Sequence, residues 1–153
     1  MNAIRDDIKI RKAEKSDIES IFSLVEDLAE YENALDMVKV DKDYYLKEWE
    51  QETFRAIVAD LKGTVIGTCI YYMTFSTWRG RCIYLEDFVV REKYRNLGVG
   101  QMLYDVLLEE SKKMNATMIR WQVLDWNEPA IKFYEKNNAI IENEWWNCKV
   151  YFD

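Results

Sequence analysis

Apolar and charged residues alternate from Ile8 to Arg11, which predicts a first β-strand with one face buried. The period then changes. Ile18, Ile21, Phe22, Val25, Leu28 and Ala29 recur three and four apart, the stripe of an amphipathic helix over residues 17–30. Ser16, with Glu19 three positions on, has the form of a capping box at its start. The end of this helix delivers Tyr31 and Glu32 to an irregular segment, 33–40. Asp41 is placed to cap a second helix through about residue 50, on which Tyr45 and Trp49 lie one turn apart. Residues 54–61 and Thr64–Ser76 read as strands joined at Lys62-Gly63, a hairpin signal. Trp78-Arg79-Gly80 turns into a central strand, 82–90. A second helical stripe follows in Val99, Met102, Leu103, Val106 and Leu107. Asn115-Ala116 interrupts it, and 118–123 form another buried strand. Asn127 can cap a short helix with Pro129 in its first turn and Asn137-Asn138 at its end. Ile140-Ile141 and residues 147–152 are left to close the sheet. Hairpins first, then strands alternating with helices, predict a mixed α/β sheet in a single domain, 1–153.

Residues 84–100, YLEDFVVREKYRNLGVG, join the central strand to the second helical stripe. Gly98 and Gly100 fall at the helix entry. The first turn of a helix leaves N–H groups without partners and carries the positive end of the dipole. Without side chains there, a diphosphate can rest directly on those N–H groups. Arg91, Lys93 and Arg95 add positive charge, in a chain whose net charge is −7. A P-loop would need Lys-Ser/Thr after the second glycine, where Gln101-Met102 stands. A dinucleotide fold would need a third glycine, where Leu103 stands. An ordinary strand-to-helix turn also favours glycine, so the G-x-G alone does not decide. In the same stretch Glu86 and Asp87 sit among Tyr84, Leu85, Phe88 and Val89. Strict alternation sends the two acids to opposite faces, and apolar neighbours would raise a carboxyl pKa toward that of a useful base.

Composition narrows the chemistry. The chain has 153 residues, 49% of them hydrophobic, enough for a folded core. It has no run of about 18 apolar residues and no signal-like start, which predicts a cytoplasmic protein without membrane attachment. Cys69, Cys82 and Cys148 are an odd number, far apart, each within an apolar run, as reduced buried thiols would be. The absence of histidine removes Ser-His-Asp and Cys-His nucleophile arrangements and the commonest metal ligand, so no metal site is expected. The acidic balance argues against nucleic acid as a partner and for a cationic substrate.

Arg95-Asn96-Leu97-Gly98-Val99-Gly100 after a hydrophobic strand resembles the Arg/Gln-x-x-Gly-x-Gly/Ala signature of the GNAT superfamily of acyl-CoA-dependent N-acetyltransferases. Tyr84-Leu85-Glu86-Asp87-Phe88, Trp126-Asn127-Glu128-Pro129 and Phe133-Tyr134 are similar to the diamine (spermidine/spermine) and thialysine branch. Asn96 stands where close relatives often have glycine. The resemblance implies the GNAT fold, a mixed, mostly antiparallel twisted sheet of about six to seven strands flanked by about four helices. It also implies acetyl-CoA as cofactor and coenzyme A as product. Backbone contacts to the pantetheine arm would come from Phe88, Val89 and Val90. The diphosphate would lie on Arg95, Asn96, Leu97, Gly98, Val99, Gly100 and Gln101, and Asn127, Glu128, Pro129 and Ala130 would flank the arm. Asn127 also fits a plain helix cap.

Acetyl transfer to an amine requires that a thioester be held, an ammonium lose a proton, an oxyanion be stabilised and a thiolate be protonated. The resemblance assigns the last task to Tyr134, whose phenol, with an unperturbed pKa of about 10, stays protonated at neutral pH. Ile131 and Tyr134 also share a helix face, so a core aromatic is the plainer reading of that tyrosine. With no histidine, the base is a carboxylate, a tyrosine or a chain of waters. The family position of Glu86 touches the amine, which makes Glu86, through water, the candidate; Asp87 is read as a substrate contact or as a structural anchor only. Tyr31, Glu32, Arg120, Trp121, Gln122 and Glu144 map to the acceptor pocket. Acids and aromatics together suit an aliphatic ammonium. Glu32 and Glu144 fit equally well as solvated surface charge. Trp78 and Trp145-Trp146 are candidates for pocket wall or dimer interface, and six tryptophans with ten tyrosines exceed what one small core hides.

The expected activity is acetyl transfer to the primary amine of a small polyamine, diamine or thialysine-like substrate, by a homodimer. The alternatives are a protein or peptide N-acetyltransferase, or a non-catalytic acyl-CoA-binding regulator.

Overall fold

A computed structural model describes residues 3–152 of the chain. By its internal contacts the chain divides into two compact units, one ending at Trp121 and the other beginning at Gln122. Among the described residues, no helix is long and apolar enough to cross a membrane.

The first unit is built on one five-stranded sheet in chain order: β1 (Ile8–Lys12), β2 (Arg55–Leu61), β3 (Thr64–Ser76), β4 (Gly80–Val90) and β5 (Met118–Arg120). Tight hairpins make β2, β3 and β4 antiparallel neighbours. Lys62 (φ 50°) and Gly63 (φ 90°) take the left-handed backbone that a two-residue hairpin turn demands. β5 runs parallel to β4 because a helix, α4 (Val99–Lys113), carries the chain back across the sheet. The alternation read from the sequence fills a core on each face. Ile57, Ile66, Cys69, Tyr71, Ile83 and Leu85 pack with Val99, Leu103 and Leu107 of α4. On the opposite face, Val58, Val65, Ile70 and Val89 pack with Ile18, Ile21, Leu24 and Val25 of α2 (Ile18–Tyr31). Asp41 caps α3 (Lys42–Glu50) by accepting from Tyr44 N–H at 2.9 Å, and Tyr45 and Trp49 of that helix both pack on Phe54.

The α2 start is built differently from the expected Ser16–Glu19 box. Residues Lys15–Asp17 form a 3-10 turn, and Asp17 is the residue that organises it. Its Oδ2 accepts from Glu14 N–H at 2.7 Å, while both oxygens take a fork from the Arg11 guanidinium at 2.7 and 2.9 Å. Asp60 meets the same guanidinium at 3.1 Å. A short helix not predicted from the sequence, α1 (Ala3–Asp6), precedes β1.

In the second unit, α5 (Glu128–Lys136) starts at Asn127, whose side chain accepts from Ala130 N–H at 3.4 Å. Past its end Asn138 turns left-handed (φ 64°), as the Asn-Asn pair predicted. Two expectations fail. Residues 140–152 form no strand, and β5 stops at Arg120 instead of reaching 123, so among the described residues the sheet has five strands and not six or seven. The parallel ladder ends at the Tyr84–Arg120 pair, two residues before β4 bulges, and a bulge breaks the regular edge a neighbour needs. The apolar pattern of 140–152 is present but stays exposed: Trp146 is 89% exposed and Phe152 94%. Cys69 and Cys82 are buried free thiols as expected, whereas Cys148 is exposed.

Asp17 should matter more to stability than any capping serine. The Arg11 fork holds its carboxyl below the ordinary value, so its contribution is present at neutral pH and is lost as pH falls through the acid range. Asp17→Asn should cost about 2 kcal/mol in urea unfolding at pH 7, since Asp60 keeps Arg11 partly paired. A change below about 0.5 kcal/mol would show that the turn is held by packing alone.

Candidate active site

Strand β4 carries one residue more than its partner. Ile70 of β3 pairs with Asp87 and Tyr71 pairs with Leu85, which leaves Glu86 without an opposite number. The bulge inverts the alternation. Ile83, Leu85 and Val90 belong to the α4-side core and Phe88 packs against it, so the inward residue after Leu85 comes three positions on rather than two. Glu86 and Asp87 therefore both project from the other face, contrary to strict alternation.

On that face they meet tyrosines. Tyr72 and Tyr84 are register partners with stacked rings, 5.5 Å between centroids. Tyr72 Oη donates to Glu86 Oε2 at 2.8 Å. Burial, Glu86 and Glu32 together push the Asp87 carboxyl up to about 7. Burial and the fields of Asp87 and Glu86 push the Tyr45 phenol up to about 12. Glu32, at the end of α2, is itself raised by burial. Three acids and three tyrosines thus share one face of the sheet.

The other predicted residues of this unit are spread more widely, and Phe88, Val90 and Trp121 pack on the α4 side of the sheet, away from the two acids. Tyr31, the last residue of α2, carries the Arg95 guanidinium over its ring at 5.4 Å. Arg120 is exposed opposite Tyr84, and Trp121 packs edge-on against Tyr104. Trp78 is at the tip of the β3–β4 turn, beyond the Ser76–Gly80 pair, and is 85% exposed. Phe88, Val89 and Val90 form the last residues of β4.

The signature segment bends as its glycines require. Asn96 (φ 66°) and Gly98 (φ 79°) are both left-handed, and Gly98 is the N-cap of α4. The first helical bond runs from Met102 N–H to Gly98 O at 3.1 Å, so Val99 and Gly100 N–H have no carbonyl within the helix. No acid occupies the first turn of α4. The flanking cations are held in other ways. Arg91 reaches Asp27 at 3.1 Å, Arg95 Nε donates to Val90 O at 3.0 Å, and Lys93 lies over the Tyr94 ring.

In the second unit Tyr134 is buried, with its ring edge-on to Phe133 at 5.7 Å. Asn127 serves as the helix cap already described. Gln122 donates to Asn147, and Glu144 is exposed.

Residues 19–139 match the acetyltransferase (GNAT) family. The chain belongs to that family. This GNAT enzyme is 33% identical to the thialysine N-epsilon-acetyltransferase of Bos taurus, over 92% of this chain and 90% of that protein. It is 28% identical to the human spermidine/spermine N(1)-acetyltransferase-like protein 1, over 88% of this chain and 21% of that one. Its fold is shared with a crystal structure of an aminoglycoside acetyltransferase from an uncultured soil metagenomic sample, with a TM-score of 0.82, 16% identity, and 98% and 99% of the two chains covered. The GNAT chain is thus an N-acetyltransferase.

Sequence reasoning did not find Tyr72, Tyr84 or Tyr45 at this site. The hairpin register would have set Tyr72 opposite Tyr84, but the bulge that brings Glu86 to them leaves no mark in the hydrophobic pattern.

The Asp87 carboxyl has a pH signature in the fold of this GNAT enzyme. Its native pKa, about 7 against 3.8, lies above the unfolded one, so its contribution to stability is full below pH 4 and is lost as pH rises through 7. The loss is at most about 4 kcal/mol. Urea unfolding of the parent should weaken between pH 5 and pH 8, and Asp87→Asn should flatten that slope. Parallel slopes for parent and variant would mean that Asp87 is an ordinary carboxylate.

Proposed function

We propose that the chain transfers the acetyl group of acetyl-CoA to the primary amine of a small cationic substrate of the thialysine, diamine or polyamine kind. The observation that carries this reading is the placement of Glu86 and Asp87 on one face, framed by Tyr72, Tyr84 and Tyr45. Carboxylates attract an alkylammonium by charge, and aromatic faces hold it by cation–π contact. The substrates printed in the names of the two curated relatives, thialysine and spermidine/spermine, are amines of this kind.

Each group has a task. Glu86, fixed by Tyr72, receives the ammonium, and Asp87, poised near neutrality, takes its proton, directly or through water. Glu32 and Tyr31 extend the acceptor site from the end of α2, with Trp78, Arg120, Trp121, Gln122 and Glu144 as further candidate contacts. The backbone of Phe88, Val89 and Val90 binds the pantetheine arm, and Asn127, Glu128, Pro129 and Ala130 flank it. Asn96–Gln101 cradle the diphosphate. A left-handed Gly98 at the N-cap and an acid-free first turn fit such a group. When bound, acetyl-CoA supplies an activated thioester. Tyr134 holds on Oη the proton that the leaving group takes up.

The chain is further proposed to act as a homodimer in the cytoplasm. Trp145, Trp146, Tyr151 and Phe152 are all exposed, an apolar surface of the kind that subunits cover. An active species sedimenting as a monomer at micromolar concentration would overturn the dimer.

Tyr134→Phe separates catalysis from binding. The substitution keeps the ring and removes one hydroxyl, so KM should stay close to the parent value. With the proton donor gone, kcat should fall by on the order of 10²–10⁴. Parent-like turnover in the steady state would leave Tyr134 as a core aromatic and send the search for the acid elsewhere.

A further inference from the structure

We propose that Arg5 is a phosphate-binding residue of the coenzyme A site, delivered to it by the N-terminal helix. This rests on the reading of the α4 entry as the place where acetyl-CoA binds. A methyl group built on Gly98 would meet the Arg5 guanidinium carbon at 3.3 Å and both terminal nitrogens at 3.5 Å. The guanidinium therefore lies in the space that the missing side chain of Gly98 leaves open. That space adjoins the N-terminus of α4.

The electrostatics of this placement are one-sided. The helix end is positive, and its first turn holds no carboxylate. Among the described residues no carboxylate pairs with Arg5 either. A cation beside a positive helix end, with no counter-charge, is the local arrangement that an anion resolves. The cations of the signature segment are already engaged: Arg91 by Asp27, Arg95 by Val90 O and the Tyr31 ring, Lys93 by Tyr94. Arg5 is the cation that the structure sets against Gly98 itself. Its planar fork matches two oxygens of a phosphate group. Just past the element that carries it, Asp7 pairs with Lys62 of the β2–β3 turn at 3.2 Å.

The test is direct binding of coenzyme A to the full-length chain by titration calorimetry, compared with pantetheine, which has the arm but no phosphates. Arg5→Ala should weaken coenzyme A binding by about 10- to 100-fold and flatten its salt dependence, with pantetheine binding unchanged. Arg5→Lys should fall between the two, since it keeps the charge and loses the fork. An unchanged melting curve of Arg5→Ala would show that the loss is local. If Arg5→Ala binds coenzyme A as tightly as the parent, or more tightly, Arg5 is a bystander or a plug and the proposal is wrong. A parent chain that binds no coenzyme A would overturn the proposed function and this inference together. A parent that binds it, with Gly98→Val abolishing binding and Arg5→Ala indifferent, would overturn only this one.

Discussion

One extra residue in β4 decides which face of the sheet two acids occupy. Without it, Glu86 and Asp87 would face opposite sides of the sheet, and one of them would enter the apolar core packed under α4. With it, both carboxylates leave that core together and reach Tyr72, Tyr84 and Tyr45. The displacement has a cost. Burial first, and then the charges of Glu86 and Glu32, make the Asp87 carboxyl hold its proton to about 7. The rest of the sheet makes this tolerable. At the bulge β4 is paired with β3 alone, and the residues on either side of it pack into the cores of both faces, which holds it in place.

The same strand leads into the proposed cofactor site. After Val90 the chain leaves the sheet, makes one 3-10 turn and enters α4 through a left-handed Gly98. The approach of α4 to the sheet depends on Gly67 in β3. A methyl group there would lie 3.1 Å from Leu103 Cδ1 and 3.1 Å from Val89 O, tighter than ordinary packing allows. A small residue in one strand thus sets the height of the helix whose N-terminus is the proposed phosphate site.

Much of this was legible in the sequence, and the illegible parts share a cause. Periodicity placed β1 through β4, α2, α3, α4 and α5 nearly to the residue, because each buries a face large enough to impose its period. The signature glycine was legible because left-handed backbone at a helix entry selects for it, and Asn96, also left-handed, shows the same pressure in a residue that tolerates it. What escaped depends on relations that no local pattern records. A bulge changes parity without changing composition, so Glu86 and Asp87 were assigned to opposite faces. Tyr72 is one aromatic in a strand already rich in them, and only the register with Tyr84 singles it out. Arg5 lies outside every motif and reaches Gly98 only through the fold. Residues 140–152 failed in the opposite way. Their pattern was strand-like, but a pattern makes a strand only where a neighbour takes up its hydrogen bonds.

The two acids are not interchangeable once their partners are considered, and this bears on which does what. Glu86 is the more exposed and has one oxygen committed to the Tyr72 hydroxyl, so it is oriented and leaves its other oxygen for a ligand. Asp87 is the more buried and receives the fields of both Glu86 and Glu32. A carboxyl that titrates near neutrality can accept a proton from an ammonium and release it again to water at little cost in either direction. A carboxyl fixed by a hydrogen bond is better suited to hold the amine in place while that happens. The arrival of a cation would also relieve the repulsion between the acids and shift Asp87 toward its charged form, the form able to take a proton. Under the proposed function, a cationic substrate would thus raise the ionised fraction of Asp87. A neutral molecule of the same shape would leave the repulsion between the acids, and so the ionised fraction of Asp87, unchanged by charge.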